Sequence, residues 1–248
     1  MKVKSILVSQ PEPQTENSPY FDLAKKYKLK VDFIPFIHVA GVDVAEVRKQ
    51  KINLANHSAV ILTSRNAVDH YFRIAEEMRF TVPNDMKYFC TSEAIAYYLQ
   101  KYVVYRKRKI YFGQSKFQDL IPLFKKHKNE KYLLPTSDIL KPQVPEALEE
   151  SGVEYTRAVL YNTVSSDLSH LSDVKYDILV FFSPSGIKSL FENFPDFEQG
   201  NTRIAGFGNT TLKAIEEAGL TVNIQAPSPK LPSMTMALEH YIKEEAKK

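Results

Sequence analysis

The chain has 248 residues, 33 Lys and Arg against 29 Asp and Glu for a net charge of +4, and 44% hydrophobic and 25% charged content, ordinary proportions for one large or two small globular domains. Its single cysteine, Cys90, excludes an internal disulfide, suits a reducing compartment and reads as a small buried residue. The first apolar run, ILV (6–8), is too short for a signal peptide, and no segment approaches the ~20 apolar residues of a membrane span, so a cytoplasmic protein without a membrane partner is expected.

In chain order, ILV (6–8) predicts a strand and PYFDLAKKYKL (19–29) a helix, and VDFIPFIHV (31–39) is extended with Pro35 in its middle. AVILT (59–63), MKYFC (86–90), KIYF (109–112) and KYLLP (131–135) predict strands. Each is followed by a helical pattern: RNAVDHYFRIAEEM (65–78), EAIAYYLQKY (93–102), FQDLIPLFKKH (117–127) and VPEALEESG (144–152), the last closed by Gly152. EYTRAVLYNTV (154–164) is a second long extended run. DILVFF (177–182) and TRIAGF (202–207) predict strands, PSGIKSLFENF (184–194) and TTLKAIEEAG (210–219) helices, and 233–248 a closing helix. Strand alternating with helix is the signature of an α/β protein with parallel sheets.

The two extended runs lack a helix directly after them and bracket a block of βα units. A block inserted into a chain needs two crossings, out and back. The expected organisation is therefore a discontinuous first α/β domain, 1–33 with 166–248, a second domain at 40–158, and connector strands at 34–39 and 159–165. The connectors run in opposite directions and can pair as an antiparallel ladder. An internal repeat points the same way. With Ser64 on Ser183, Val60 meets Leu179, Val68 meets Ile187 and Phe72 meets Phe191. At an offset of 118, YFCTSEAIAYYL (88–99) meets AGFGNTTLKAI (205–215).

The turns between strand and helix carry the chemistry. In FFSPSGIKSLF (181–191), Ser183 suits an N-cap and Pro184 the first helical position, and Gly186 lets backbone or ligand approach. The unpaired first-turn N–H groups and the helix dipole receive anions. Ser64, Ser92, Thr136, Ser183 and Thr210 all stand at or just past predicted strand ends, where open α/β sheets bind ligands. Simple capping explains any one of them; five on one edge favour a binding edge.

Other signals are weaker. GFGNTT (206–211) lacks the third glycine of a dinucleotide loop, the six histidines show no metal-ligand spacing, and Ser183 has no histidine partner for a hydrolase triad. Residues 101–131 hold ten Lys or Arg against two acids. That run reads as a solvated face, with nucleic acid or steering of a polyanionic small molecule as the competing readings.

Together these segments resemble the uroporphyrinogen-III synthase family. The resemblance is carried by SPYFDLAKKYKLKVDFIPFIHV, AVILTSRNAVDHYF, AVLYNTV, DILVFFSPSGIKSLF and RIAGFGNTTLKAIEEAGLTVNIQAPSP, in order over nearly the whole chain. It implies two parallel-sheet, flavodoxin-like domains joined by a two-stranded connector with a cleft between them. It further implies cyclisation of hydroxymethylbilane, a linear tetrapyrrole with eight carboxylates, to uroporphyrinogen III with inversion of ring D and loss of water. No metal or organic cofactor and no nucleic acid take part, and a monomer is expected. A non-catalytic tetrapyrrole binder on the same scaffold is the alternative.

By the same resemblance, Tyr161 falls on the family's Tyr-x-Thr tyrosine and would assist departure of the hydroxyl. Ser183, Ser185 and Gly186, and Thr210 and Thr211, fall on turns that would hold acetate and propionate arms, and Ser64 on the equivalent turn of the other domain. The family's early Thr-Arg-Pro is Ser9-Gln10-Pro11 here, and its arginine near 136–138 is absent. Cys90 and Glu93 replace its usual glycine and threonine. Lys141 or Lys230 would compensate for the missing cations.

Overall fold

The computed structural model describes residues 3–171 and 173–246. The chain forms two compact units, one of Met1–His38 with Val164–Lys248 and one of Val39–Thr163.

The first unit holds β1 (Ser5–Val8), α1 (Pro19–Tyr27), β2 (Lys30–Phe33), β9 (Ile178–Phe181), α7 (Pro184–Asn193), β10 (Arg203–Phe207), α8 (Asn209–Glu217), β11 (Val222–Ala226) and α9 (Met234–Glu245). Its sheet runs β2-β1-β9-β10-β11, all parallel, which is the flavodoxin-like order. Alternate strand residues serve opposite faces. Ile6, Val8, Ile178 and Val180 pack with α1 and α9, and Leu7, Leu179, Phe181 and Ile204 with α7 and α8. Both faces are covered, so β1 and β9 read as unbroken apolar runs.

The second unit holds α2 (Val44–Lys49), β4 (Ala59–Leu62), α3 (Arg65–Glu77), β5 (Lys87–Cys90), α4 (Glu93–Tyr98), β6 (Ile110–Phe112), α5 (Ile121–Lys126), β7 (Tyr132–Ser137) and α6 (Gln143–Ser151). Two strands, β3 (Ile37–Gly41) and β8 (Tyr155–Ser165), carry the chain from one unit to the other. The sheet order is β3-β8-β7-β4-β5-β6, with β4 to β8 parallel. The Ser166 amide donates to the Phe36 carbonyl and the Val42 amide to the Leu160 carbonyl, so the crossing strands run antiparallel. Val60 and Leu62 face α3 and α4; Ala59 and Ile61 face α5 and α6. Full burial of a side chain such as Ile61 or Phe89 stabilises the fold by about 1.5–3 kcal/mol.

The order β8-β7-β4-β5-β6 is the order β2-β1-β9-β10-β11 with β7 and β8 in the places of β1 and β2. The helices between those leading pairs correspond as well. Both α1 and α6 have nine residues and end in a left-handed residue, Lys28 at φ 55° and Gly152 at φ 65°. The chain therefore reads as two tandem five-strand repeats that have exchanged their last three strands.

Several elements differ from expectation. VDFIPFIHV is broken at Pro35 into β2 and β3, because proline supplies no ladder donor. Strand β11 was not expected from VNIQA, an edge strand whose polar residues sit beside two prolines. Helix α2 was also not expected; six residues are too few for a periodic signal. FQDLIPLFKKH opens as a 3-10 turn, Phe117–Leu120, before α5. Helix α8 starts at Asn209 with Gly208 as its cap, whereas α4 starts at Glu93, so the 118 offset misplaces this pair of turns by two residues.

Gly208 has φ 85° and ψ 147°, a conformation kept almost entirely for glycine. Its amide donates to the Ala226 carbonyl at 2.6 Å, and its carbonyl accepts from Thr211 and Leu212. Gly208→Ala is expected to lower stability by about 1–3 kcal/mol, measured by urea denaturation.

Candidate active site

At the C-terminal edge of the second unit's sheet, β4 ends at Leu62 and Ser64 caps α3, its Oγ accepting from the Ala67 amide at 3.1 Å. The Tyr161 hydroxyl lies 3.3 Å from the same Oγ, and Tyr161 is only 7% exposed. A β-bulge brings it there. The β7–β8 register steps from Thr136–Val159 to Ser137–Tyr161, so Leu160 is an extra residue. Strict alternation would place Tyr161 on the face of Val159. The bulge returns it to the face of Ala158 and Leu160, into the core of Ala67, Val68 and Tyr71.

Local hydrogen bonds fix this geometry. The Asp138 amide donates to the Tyr161 carbonyl at 3.2 Å. The Arg157 guanidinium donates to the Thr136 hydroxyl and to the Ser137 and Asp138 carbonyls. That cation on β8 thus holds the C-terminal end of β7. The His70 ring stacks on Tyr161, centroids 5.0 Å apart and planes 18° apart. Arg73 Nε donates to His70 Nδ1 at 3.1 Å. Nδ1 is thus the acceptor and Nε2 carries the proton.

Burial pushes the Tyr161 phenol above its ordinary pKa, opposed by the Ser64 contact, so at neutral pH it is a hydrogen-bond donor. Desolvation, reinforced by the Arg73 charge, holds His70 below the ordinary histidine value. Arg65, exposed in the first turn of α3, lies 5.3 Å from the Tyr98 ring and puts a cation beside the Ser64 turn. Sequence reading passed over Arg65, His70 and Arg73; the i, i+3 spacing of His70 and Arg73 is the one signal that could have found the last two.

In the first unit, the Ser183 cap repeats the Ser64 cap: φ −155° and ψ 154° against −160° and 167°, with Oγ accepting from the Gly186 amide at 3.2 Å. Ser185 is half-buried in the first turn of α7. Gly186 is buried, and a Cβ there would come within 3.3 Å of Phe181, so packing accounts for this glycine. Thr210 is exposed in the first turn of α8, while Thr211 is 1% exposed, which withdraws it from a ligand-facing role. Lys230 is exposed in the Ser228–Leu231 turn. Ser64 and Tyr161 are thus brought together in one unit, and Ser183, Ser185, Gly186, Thr210, Thr211 and Lys230 belong to the other.

Other candidates fall elsewhere. Thr136 is a buried residue inside β7, not a turn residue. Ser92 caps α4 without a side-chain hydrogen bond, and Glu93 occupies its first turn, where the helix dipole favours an acid. Lys141 is exposed just before α6. The basic residues Arg108, Lys109 and Lys131 precede the starts of β6 and β7, at the sheet edge opposite Ser64.

The chain matches the HEM4 family model, described as uroporphyrinogen-III synthase HemD, over residues 19–236. The uroporphyrinogen-III synthase of Chlorobaculum parvum is 24% identical over 97% of this chain and 100% of its own length. That of Saccharomyces cerevisiae is 25% identical over 44% of this chain and 45% of its own. The crystal structure of uroporphyrinogen-III synthetase from Helicobacter pylori superposes with a TM-score of 0.62 at 20% identity, covering 97% of this chain and 99% of that one. A uroporphyrinogen III synthase structure from Thermus thermophilus gives 0.53 at 15%, with the same coverage.

Replacing Ser183 by Ala is expected to lower stability by about 1 kcal/mol and by Gly only a few tenths, measured by denaturant unfolding. Burial pushes the Cys90 thiol up to about 12, so native protein at pH 8 should resist iodoacetamide and unfolded protein should react, followed by mass spectrometry.

Proposed function

The chain belongs to the uroporphyrinogen-III synthase family, and we propose that it closes hydroxymethylbilane with inversion of ring D and loss of water through the Ser64–Tyr161 pair. The class of reaction is the cyclisation of a linear tetrapyrrole in heme biosynthesis, and the family match does not favour a non-catalytic binder. The observation that carries the site is the buried Tyr161 hydroxyl against Ser64, at a C-terminal sheet edge.

The hydroxyl of the substrate takes up a proton from solvent and departs as water to leave an azafulvene cation, and the proton returns to solvent when the closed ring loses one. The substituted carbon of ring D attacks it, and the resulting spiro intermediate fragments and recloses with the ring inverted. Tyr161 assists the first step. A general acid works best with a pKa near the working pH, and burial moves this phenol the other way. Its role is therefore hydrogen-bond donation to the departing oxygen, which counts for more in a dry site. The N-termini of α3 and α7, capped by Ser64 and Ser183, offer amide donors to carboxylates, with Ser185 and Thr210 in first turns and Lys230 as a cation. Unaided, the same substrate closes to the uninverted isomer, so the protein's main contribution is geometric. The reading includes a monomer acting on a small molecule, with no nucleic-acid partner.

The test supplies hydroxymethylbilane enzymatically and resolves the oxidised porphyrin isomers. Isomer III is expected; isomer I alone would sink the assignment. Tyr161→Phe should slow turnover by about 10²-fold, as loss of one hydrogen-bond donor to developing charge does, without moving the unfolding transition. Unchanged turnover removes Tyr161 from the mechanism.

A further inference from the structure

The bulged residue, Leu160, turns its carbonyl toward β3, where it has two donors. One is the Val42 amide at 2.9 Å. The other is Arg73 Nη2 at 3.0 Å, which also donates to the Val42 carbonyl at 2.9 Å. The same guanidinium donates through Nε to His70, whose ring lies against Tyr161, and through Nη1 to Glu77 at 2.8 Å. One half-buried side chain on α3 therefore holds the strand beside Tyr161 and the ring stacked upon it. Gly41 makes room for it. A Cβ at Gly41 would stand 2.9 Å from Arg73 Cζ and 3.0 Å from Nε and Nη2.

We propose that Arg73 is a positioning residue for Tyr161: it clamps the Leu160 bulge and fixes His70 as a shelf, so that the phenol stays on Ser64. The inference rests on the reading of Tyr161 given above. Arginine suits the task because its planar fork presents donors in several fixed directions, which a lysine ammonium cannot reproduce. The bulge interrupts the β7–β8 ladder locally, and Arg73 ties its extra residue to the Val42 carbonyl on the other side. The Arg73 clamp touches none of the reacting atoms, so its loss should act on kcat rather than on KM.

Arg73→Gln and Gly41→Ala test this from two sides. The first removes the fork. The second leaves the backbone unstrained and pushes the flexible guanidinium away, so it reports even where Arg73→Gln folds poorly. Each is expected to lower kcat by about 10- to 100-fold with KM within about twofold, as misplacement of a reacting group does. In a Tyr161→Phe background neither should lower kcat further, because the interaction they support is gone. The second readout is NMR. His70 is faced by Arg73, Asp69 and Glu77 on its own helix and by Tyr161 from β8. Removing the Arg73 charge should raise the His70 titration midpoint and shift the Tyr161 ring resonances. Wild-type kcat in both variants, with Tyr161→Phe slow, overturns the proposal, as do effects that multiply with Tyr161→Phe. If Tyr161→Phe itself turns over normally, the catalytic reading of Tyr161 fails. The positioning claim is then decided by NMR: moved Tyr161 signals sustain it and unmoved signals overturn it.

Discussion

The candidate site depends on one extra residue in one strand. A β-ladder keeps successive side chains on opposite faces, and every residue after Leu160 would otherwise point the wrong way. The bulge resets the phase just before Tyr161, and the carbonyl of its extra residue accepts from the Val42 amide and from Arg73. Arg73 on α3 joins the Val42 and Leu160 carbonyls, and the packed core around them holds Tyr161 against Ser64.

The properties of the candidate site follow from surroundings more than from unusual side chains. Tyr161 and His70 both sit where desolvation favours their neutral forms, one as a phenol and the other as an imidazole whose tautomer is set by Arg73. Neither is tuned as a strong acid or base at neutral pH. In the proposed mechanism the substrate already closes unaided and needs direction more than driving force, which neutral donors held in fixed places would supply.

The two units use one plan in a rearranged form. Ser64 and Ser183 cap α3 and α7 with nearly the same backbone angles, and each cap follows a buried strand without polar positions. The exchange of the last three strands between tandem repeats explains why the 119 offset aligns β4 with β9, while the partners of β1 and β2 lie downstream at β7 and β8. It also explains why the chain must cross twice, once through β3 and once through β8.

By itself the sequence determined what local physics encodes. Unbroken apolar runs marked strands buried on both faces, Ser-Pro-Ser-Gly marked a capped helix start, and Gly152 marked a helix end. It also carried the family resemblance and the singling out of Tyr161 and Ser64. It did not carry β11, whose edge position leaves polar residues exposed, nor the 3-10 opening of α5. Thr211 looked equivalent to Thr210, yet the helix turns it into the core. Only the tertiary structure decided that Tyr161 and Ser64 touch, 97 residues apart in the chain. In AVLYNT, alternation puts Tyr161 on the face of Val159. A bulge is a disagreement in length between paired strands, and a single strand's sequence holds no record of its partner's register.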